Sequence, residues 1–514
     1  MTCREKKRKR QQERDEKLAE DILSGRAVYV PYEDPKRRAQ RNRKGGAVGG
    51  VGEADEMAAK AMGIVRIVMP GILPKLALID DYRDPRKIIH SVETLMFYGI
   101  LMFLCNICSC RESNRRLGGD DSFMRLQQIF PELATMPHAD TLKRFLSATD
   151  TEEIQRHYEE MLKEFFKSGA FRRLNPGRFL VFVDGSGKFS RHYNWDPHTL
   201  SRHADDPDKA TYHAYMLDSF LMLENGMVLP LITEQVSNGP NGHGGNKQDC
   251  EQRAFYRLAA RIERLLGKGQ VELAADGLYA CGPIITKCNS YGWDFMLMIK
   301  SDSMSTVWDD FYGLCQAAPD NALAAKHGDR AQSYAWANDI EYTYGGNNKR
   351  LRLNLVTCHE EWIENKPRSG GVPEKKKTTY AWLSGKKLNT SNVFERCTRI
   401  GRARWWAESS FNIEKNQGYS YSHCFSYNWS AMMGFHYLMK IAHFINIITA
   451  HCKAMAEYVV SEGIQGFIKK IWEIAVARGV AKLIHPPKGR GRPPNSGKPD
   501  YLSLCLDNFR YQVV

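Results

Sequence analysis

The rhythm of apolar and polar positions changes several times along the chain. Residues 1–60 show no period; they are basic, then Gly-rich in "GGAVGGVG" (45–52). From about 75 to 170 apolar residues recur at helical spacing, as in "MPHADTLKRFLSATDTEEIQRHYEEMLKEFF", where Asp140 and Thr141 are candidate caps. A helix-turn-helix could lie within this stretch, although helical pairs are common in any α domain. The run 94–110 carries no charge, but Asn106 and Ser109 interrupt it, so a buried core helix is expected rather than a membrane span.

From Phe179 the period shortens. "GRFLVFVDGSG" holds the apolar run Phe179–Val183, ending in Asp184 and glycines. That predicts a central strand opening into a turn. "QVELAADGLYA" (270–280) repeats the design with Asp276 and Gly277. Further strands are expected at "MVLPLIT" (227–233) and "FMLMIK" (295–300), with a helix at "KQDCEQRAFYRLAARIERLL" (247–266). Short alternating runs up to about 390 predict an all-β insertion. Helical spacing returns at "RWWAESSFNIEK" (404–415) and continues through 431–459. No internal repeat is visible. The chain thus reads as a basic, disordered arm (1–60), a helical N-terminal region (61–170) where a DNA-binding helix-turn-helix would lie, an α/β core in two parts (171–300 and 396–480, the second with C-terminal helices), a β-strand insertion (301–395) and a basic Pro/Gly tail (481–514).

Charge adds a partner class. The net charge is +14, and residues 1–45 hold 15 Lys/Arg against 8 Asp/Glu, half of the excess. Such blocks favour a polyanion, nucleic acid above all. The tail motif "KGRGRPP" (488–494) places Arg490 and Arg492 as an AT-hook-like minor-groove element, against a plain basic linker. The 13 cysteines are scattered and the N-terminus is charged, which predicts reduced thiols in the cytoplasm. Cys105, Cys108 and Cys110 follow an apolar run and read as core residues before a zinc knuckle. His192, His198, His203 and His213 lack zinc-site spacing and are expected in loop or DNA-facing roles.

The candidate chemistry lies in three acids. Asp184 and Asp276 each follow a strand that reads as central, where ligand chemistry gathers in open α/β sheets. The plain alternative is that each starts a turn. Arg404, Glu408 and Lys415 fall on one helical stripe, as either a surface ion pair or a site helix. Three carboxylates suffice to hold a pair of hard divalent ions for phosphodiester chemistry.

With these residues the chain, over about 177–450, resembles the DDE transposases of the bacterial insertion-sequence type, whose catalytic Glu lies in a Y-x2-R-x3-E-x6-K signature. Arg404, Glu408 and Lys415 match in register, Trp405, Glu408 and Phe411 match a W-x-x-E-x-x-F pattern, and "KNQGYSYSH" and "NKQDCE" fit the group. Gly401 stands where the signature has Tyr. Asp276 lies 92 residues after Asp184, and Glu408 lies 132 residues further on.

The resemblance implies an α/β, RNase H-like catalytic core with an all-β insertion, preceded and followed by helical regions. It also implies cut-and-paste transposition, with Asp184, Asp276 and Glu408 as catalytic ligands of two Mg²⁺ (or Mn²⁺). Arg404 and Lys415 would hold the phosphates of transposon-end DNA, and His423 could touch it. In relatives that make hairpin ends an aromatic of the insertion stacks on a flipped base; Trp382 is the candidate, against a core role supported by Tyr380. Expected partners are double-stranded DNA, as element ends and target, and a second copy in a dimer or larger synaptic complex, with no membrane and a place at the bacterial nucleoid. The competing classes are a metal-dependent nuclease without strand transfer and a decayed DNA-binding relic.

Overall fold

The computed structural model describes residues 51–68, 72–107, 109–167, 171, 175, 177–223, 226–239, 248–364 and 374–480. The basic arm up to residue 50, Cys108, and the tail with Arg490 and Arg492 lie outside the described residues.

The protein is mixed α/β. Ten strands form one sheet: β1 (Phe179–Arg191), β2 (Leu200–Arg202), β3 (Thr211–Met222), β4 (Val228–Val236), β5 (Val271–Ala275), β6 (Asp294–Met298), β7 (Ala322–His327), β8 (Arg330–Tyr344), β9 (Lys349–Glu364) and β10 (Glu374–Ser384). Their order is β2–β3–β1–β5–β6–β10–β9–β8–β7, with β4 also paired to β3. β1 is antiparallel to β3 but parallel to β5, and β5 is parallel to β6. Every residue of β5 is buried, as expected of a parallel strand covered on both faces. β7, at the far edge, shows strict alternation instead.

The longer helices among the described residues are α1 (Val51–Val68), α2 (Val92–Leu104), α3 (Cys110–Leu117), α4 (Asp120–Ile129), α5 (Ala139–Ala148), α6 (Glu152–Lys167), α7 (Glu251–Leu266), α8 (Gly282–Tyr291), α9 (Ser305–Ala317), α10 (Trp405–Asn416), α11 (Trp429–Ala450) and α12 (Ala456–Ala477), with single turns at Leu73–Leu76 and Val393–Glu395 besides. All but one of the 22 residues of α11 are buried, so it is the central helix of the α layer. α2 crosses it closely: a Cβ on Gly99 would sit 2.6 Å from Leu438. The apolar run from 94 is therefore a core helix, and no helix among the described residues is long and apolar enough to cross a membrane.

Five expectations change. The arm does not extend to residue 60, because 51–60 open α1 and bury Met57, Ala58 and Ala59 in the core. The region 301–395 is not all-β, because "STVWDDFYGLCQA" folds as α9 and buries Val307, Trp308 and Phe311. β1 does not end at Asp184; Gly185 and Gly187 stay extended because β3 continues to pair with them. The cap of α5 is His138, whose side chain accepts from the Asp140 N–H, while Asp140 and Thr141 lie inside the first turn. The helical stretch 431–459 is broken between α11 and α12 at His451–Met455.

Candidate active site

β1 and β5 bring the two aspartates together. Their last parallel register pair is Phe182 with Ala274, and Asp184 and Asp276 each lie two residues beyond it. Two residues return a strand to the same face, so both carboxylates emerge side by side where the parallel pairing ends. Asp276 also starts a turn, accepting from the Leu278 N–H at 2.9 Å, so the plain reading of its Asp-Gly pair holds alongside the functional one. Asp184 accepts from the Gly185 N–H at 2.9 Å.

The third acid arrives on α10. Its approach is set by irregular turns: Val393–Glu395, a π turn at Arg396–Ile400 and a 3₁₀ turn at Gly401–Arg404. Buried Arg396 fixes this segment with a bidentate pair to Asp294 at 2.7 and 2.8 Å, and Arg402 pairs with Glu360 of the insertion. Arg404 thus precedes the helix, yet it still reaches Glu408 at 2.9 Å and lies 4.0 Å from Asp184. One guanidinium therefore spans the first and third acids. Its Nε is buried without an acceptor. Glu408 keeps 54% of its side chain exposed. Lys415 does not pair with Glu408; its ammonium lies over the rings of Phe411 and Tyr421, 5.5 and 5.6 Å from their centroids.

Burial dominates the electrostatics of Asp184. It raises the carboxyl to about 6; Arg404 and the Gly185 N–H oppose the rise, while Asp276 and Glu251 add to it. Glu251, at the start of α7, is a further neighbour; it ends the "NKQDCE" stretch, to which the sequence pattern assigned no role. Its carboxylate accepts from the Tyr215 and Tyr279 hydroxyls at 2.6 and 3.0 Å. Gly185 makes room for it, because a Cβ there would sit 2.6 Å from both Glu251 and Tyr215. The donors are all carboxylate oxygens, the chemistry that suits Mg²⁺ or Mn²⁺. No group of three His, Cys, Asp or Glu among the described residues is gathered closely enough to hold a metal, consistent with Glu408 being turned to Arg404.

Trp382 is 1% exposed, the core position of its two readings, and stacks on Tyr380 with centroids 5.7 Å apart. Its indole also explains Gly401: a Cβ there would lie 3.0 Å from the Trp382 ring. Gly401→Tyr should therefore not restore the signature but destabilise the fold by about 1–3 kcal/mol through overpacking, as read by thermal melting. Trp382→Ala in the same chain should relieve that increment.

His423 is exposed, with its ring edge-on to Phe425 at 4.6 Å. The four earlier histidines do not converge. His192 and His203 are exposed, His198 pairs with Asp196 at 2.6 Å, and His213 lies edge-on to Tyr215.

The helices before the sheet carry the family evidence. The family model of the DDE_Tnp_1-associated domain matches residues 73–161. The match points to a DDE-type transposase family. No curated protein matches the chain. The matched region is tied to the sheet that bears the aspartates. Gln155 exchanges two 2.9 Å hydrogen bonds with the backbone of Thr233 on β4, and the Tyr158 hydroxyl donates to the Pro230 carbonyl at 2.6 Å. Arg261 of α7 binds Glu152 and Glu159 at 3.1 and 2.9 Å.

Proposed function

We propose that the protein is a DDE transposase with an RNase H-like core. It hydrolyses the phosphodiester at the ends of a mobile element and joins the freed 3′-hydroxyl to target DNA. The observation that carries this reading is the emergence of Asp184 and Asp276 side by side, with Arg404 linking Asp184 to Glu408. The strand order β4–β3–β1–β5–β6, antiparallel on one side of β1 and parallel on the other, supports the RNase H-like assignment.

Asp184, Asp276 and Glu408 would hold two Mg²⁺ or Mn²⁺, which when bound supply Lewis-acid activation of the attacking and leaving oxygens. The protein's own groups do the rest. Burial around Asp184 lowers the local dielectric and strengthens its interactions with cations. The unpartnered Arg404 Nε offers a donor for a phosphate oxygen, and Lys415, held over two rings, supplies a second positive charge. Double-stranded DNA is the substrate, and a dimer or larger synaptic complex would hold the two ends. The deciding experiment uses DNA flanking the gene, both intact and pre-cleaved, with Mg²⁺ or Mn²⁺. Cleavage followed by joining of pre-cleaved ends is expected; cleavage without joining leaves a nuclease, and neither reaction leaves a DNA-binding relic.

Arg404→Ala and Lys415→Ala should each weaken binding of end DNA and reduce the magnitude of the salt slope by about one. Titrations at several salt concentrations measure this. An unchanged slope with normal activity would return the Arg404–Glu408 contact to a plain helix ion pair.

A further inference from the structure

Beneath the candidate site lies a buried network of charged and polar groups that the three acids do not account for. Asp218, Glu414, Lys440, His436, His443 and Tyr421 are all at most 3% exposed. Lys440 of α11 is the junction. Its ammonium donates to Glu414 of α10 at 2.7 and 3.0 Å and lies 3.1 Å from Asp218 of β3. Glu414 also receives the His443 ring nitrogen at 2.9 Å, and Asp218 receives the Tyr421 hydroxyl at 3.2 Å and the Thr233 hydroxyl.

We propose that Glu414, Lys440 and Asp218 are positioning residues that fix the rotation of α10, and with it where Glu408 points. This rests on the transposase reading. Asp218 is the register partner of Asp184 on the neighbouring strand. Glu414 lies six residues after Glu408, about 120° away around the helix, on its core side. The Glu414–Lys440–Asp218 chain therefore ties the helix of the third acid to the strand beside the first. A slip of α10 by one residue would swing Glu408 by about 100° and break both contacts to Lys440. Stability alone is a poor reason to keep such a network, because buried ion pairs can often be replaced by apolar groups of similar size without loss. A fixed azimuth is what apolar packing, which is non-directional, supplies less well.

The test uses two variants of the full chain, Glu414→Gln and the neutral triple Asp218→Asn/Glu414→Leu/Lys440→Met. Four readouts are compared with the parent: melting temperature, affinity for flanking-end duplex without divalent ion, single-turnover cleavage, and Mn²⁺ affinity from electron paramagnetic resonance. The expected result is at least a tenfold slower cleavage and weaker Mn²⁺ binding in the triple variant, with melting temperature and DNA affinity near parental. Glu414→Gln, which keeps the volume and can still accept from Lys440, should fold and show a smaller loss of the same kind, about threefold. If either folded variant cleaves and binds Mn²⁺ as the parent does, the proposal is overturned. It is equally overturned if Glu414→Gln loses melting temperature, DNA affinity and cleavage together, which would make the network merely structural. A parent that neither cleaves nor binds Mn²⁺ would instead remove the transposase reading on which it rests.

Discussion

Asp184→Asn, Asp276→Asn and Glu408→Gln should each reduce cleavage by on the order of 10³-fold or more, a loss of about 4 kcal/mol of transition-state stabilisation. Each change removes one anionic oxygen donor and almost no volume, so binding of end DNA should persist. For Asp184 the same substitution has a second, opposite consequence in metal-free protein. Its folded value of about 6 stands above the usual aspartate value near 4, mainly because of burial. Ionised Asp184 is thus less comfortable in the fold than in the unfolded chain. That cost is absent below about pH 4, grows as pH rises, and is complete above the folded value. Two units correspond to at most about 3 kcal/mol. Asp184→Asn should therefore raise the melting temperature at pH 8 in EDTA and leave it unchanged at pH 4. An inactive variant that is also more stable is the expected mark of a carboxylate held for cation binding. A variant that cleaves at the parental rate would remove Asp184 from the site.

The parts of the site that were legible in sequence rest on local pattern. An uninterrupted apolar run before Asp184 and a short one broken only by Glu272 before Asp276 mark central strands, and the two acids fall together because both runs end in step. The helix of Glu408 was legible from its spacing, and the Arg404–Glu408 contact forms as i,i+4 chemistry predicts. What was not legible depends on partners distant in sequence. The π and 3₁₀ turns before α10 exist because Arg396 clasps Asp294, 102 residues away, and because the Trp382 ring lies against Gly401. Glu251 reads as an ordinary first-turn acid until Tyr215 and Tyr279 close on it. The Asp218–Lys440–Glu414 network did leave a signal. Asp218 interrupts "YMLDSFLM" and Lys440 and His443 interrupt "FHYLMKIAHF"; a charge inside an apolar run is costly unless paired. That signal names the members but not their pairing.

Trp382→Ala should cost about 3–5 kcal/mol of stability, among the largest losses a single substitution can cause here. The ring is 1% exposed and sits where the insertion joins the core. That joint is narrow, because β10 meets β6 through Trp382 with Met298, Leu383 with Leu297 and Ser384 with Met296. The indole fills the space between Tyr380, whose ring stacks on it, and the backbone of Gly401, from which the 3₁₀ turn leads to Arg404. Removing it leaves a cavity under the turn that aims α10, so unfolding and every catalytic step should suffer together. Trp382→Phe should cost much less, since the indole N–H is buried without an acceptor and its loss breaks no hydrogen bond. The competing expectation, a base-stacking aromatic, gives another pattern: parental melting temperature, normal first-strand nicking, and a slow second-strand step rescued by an abasic site. Thermal melting with strand-resolved cleavage of Trp382→Ala separates the two. A parental melting temperature would refute the core role, because a cavity of that size in a close-packed interior cannot be free of cost.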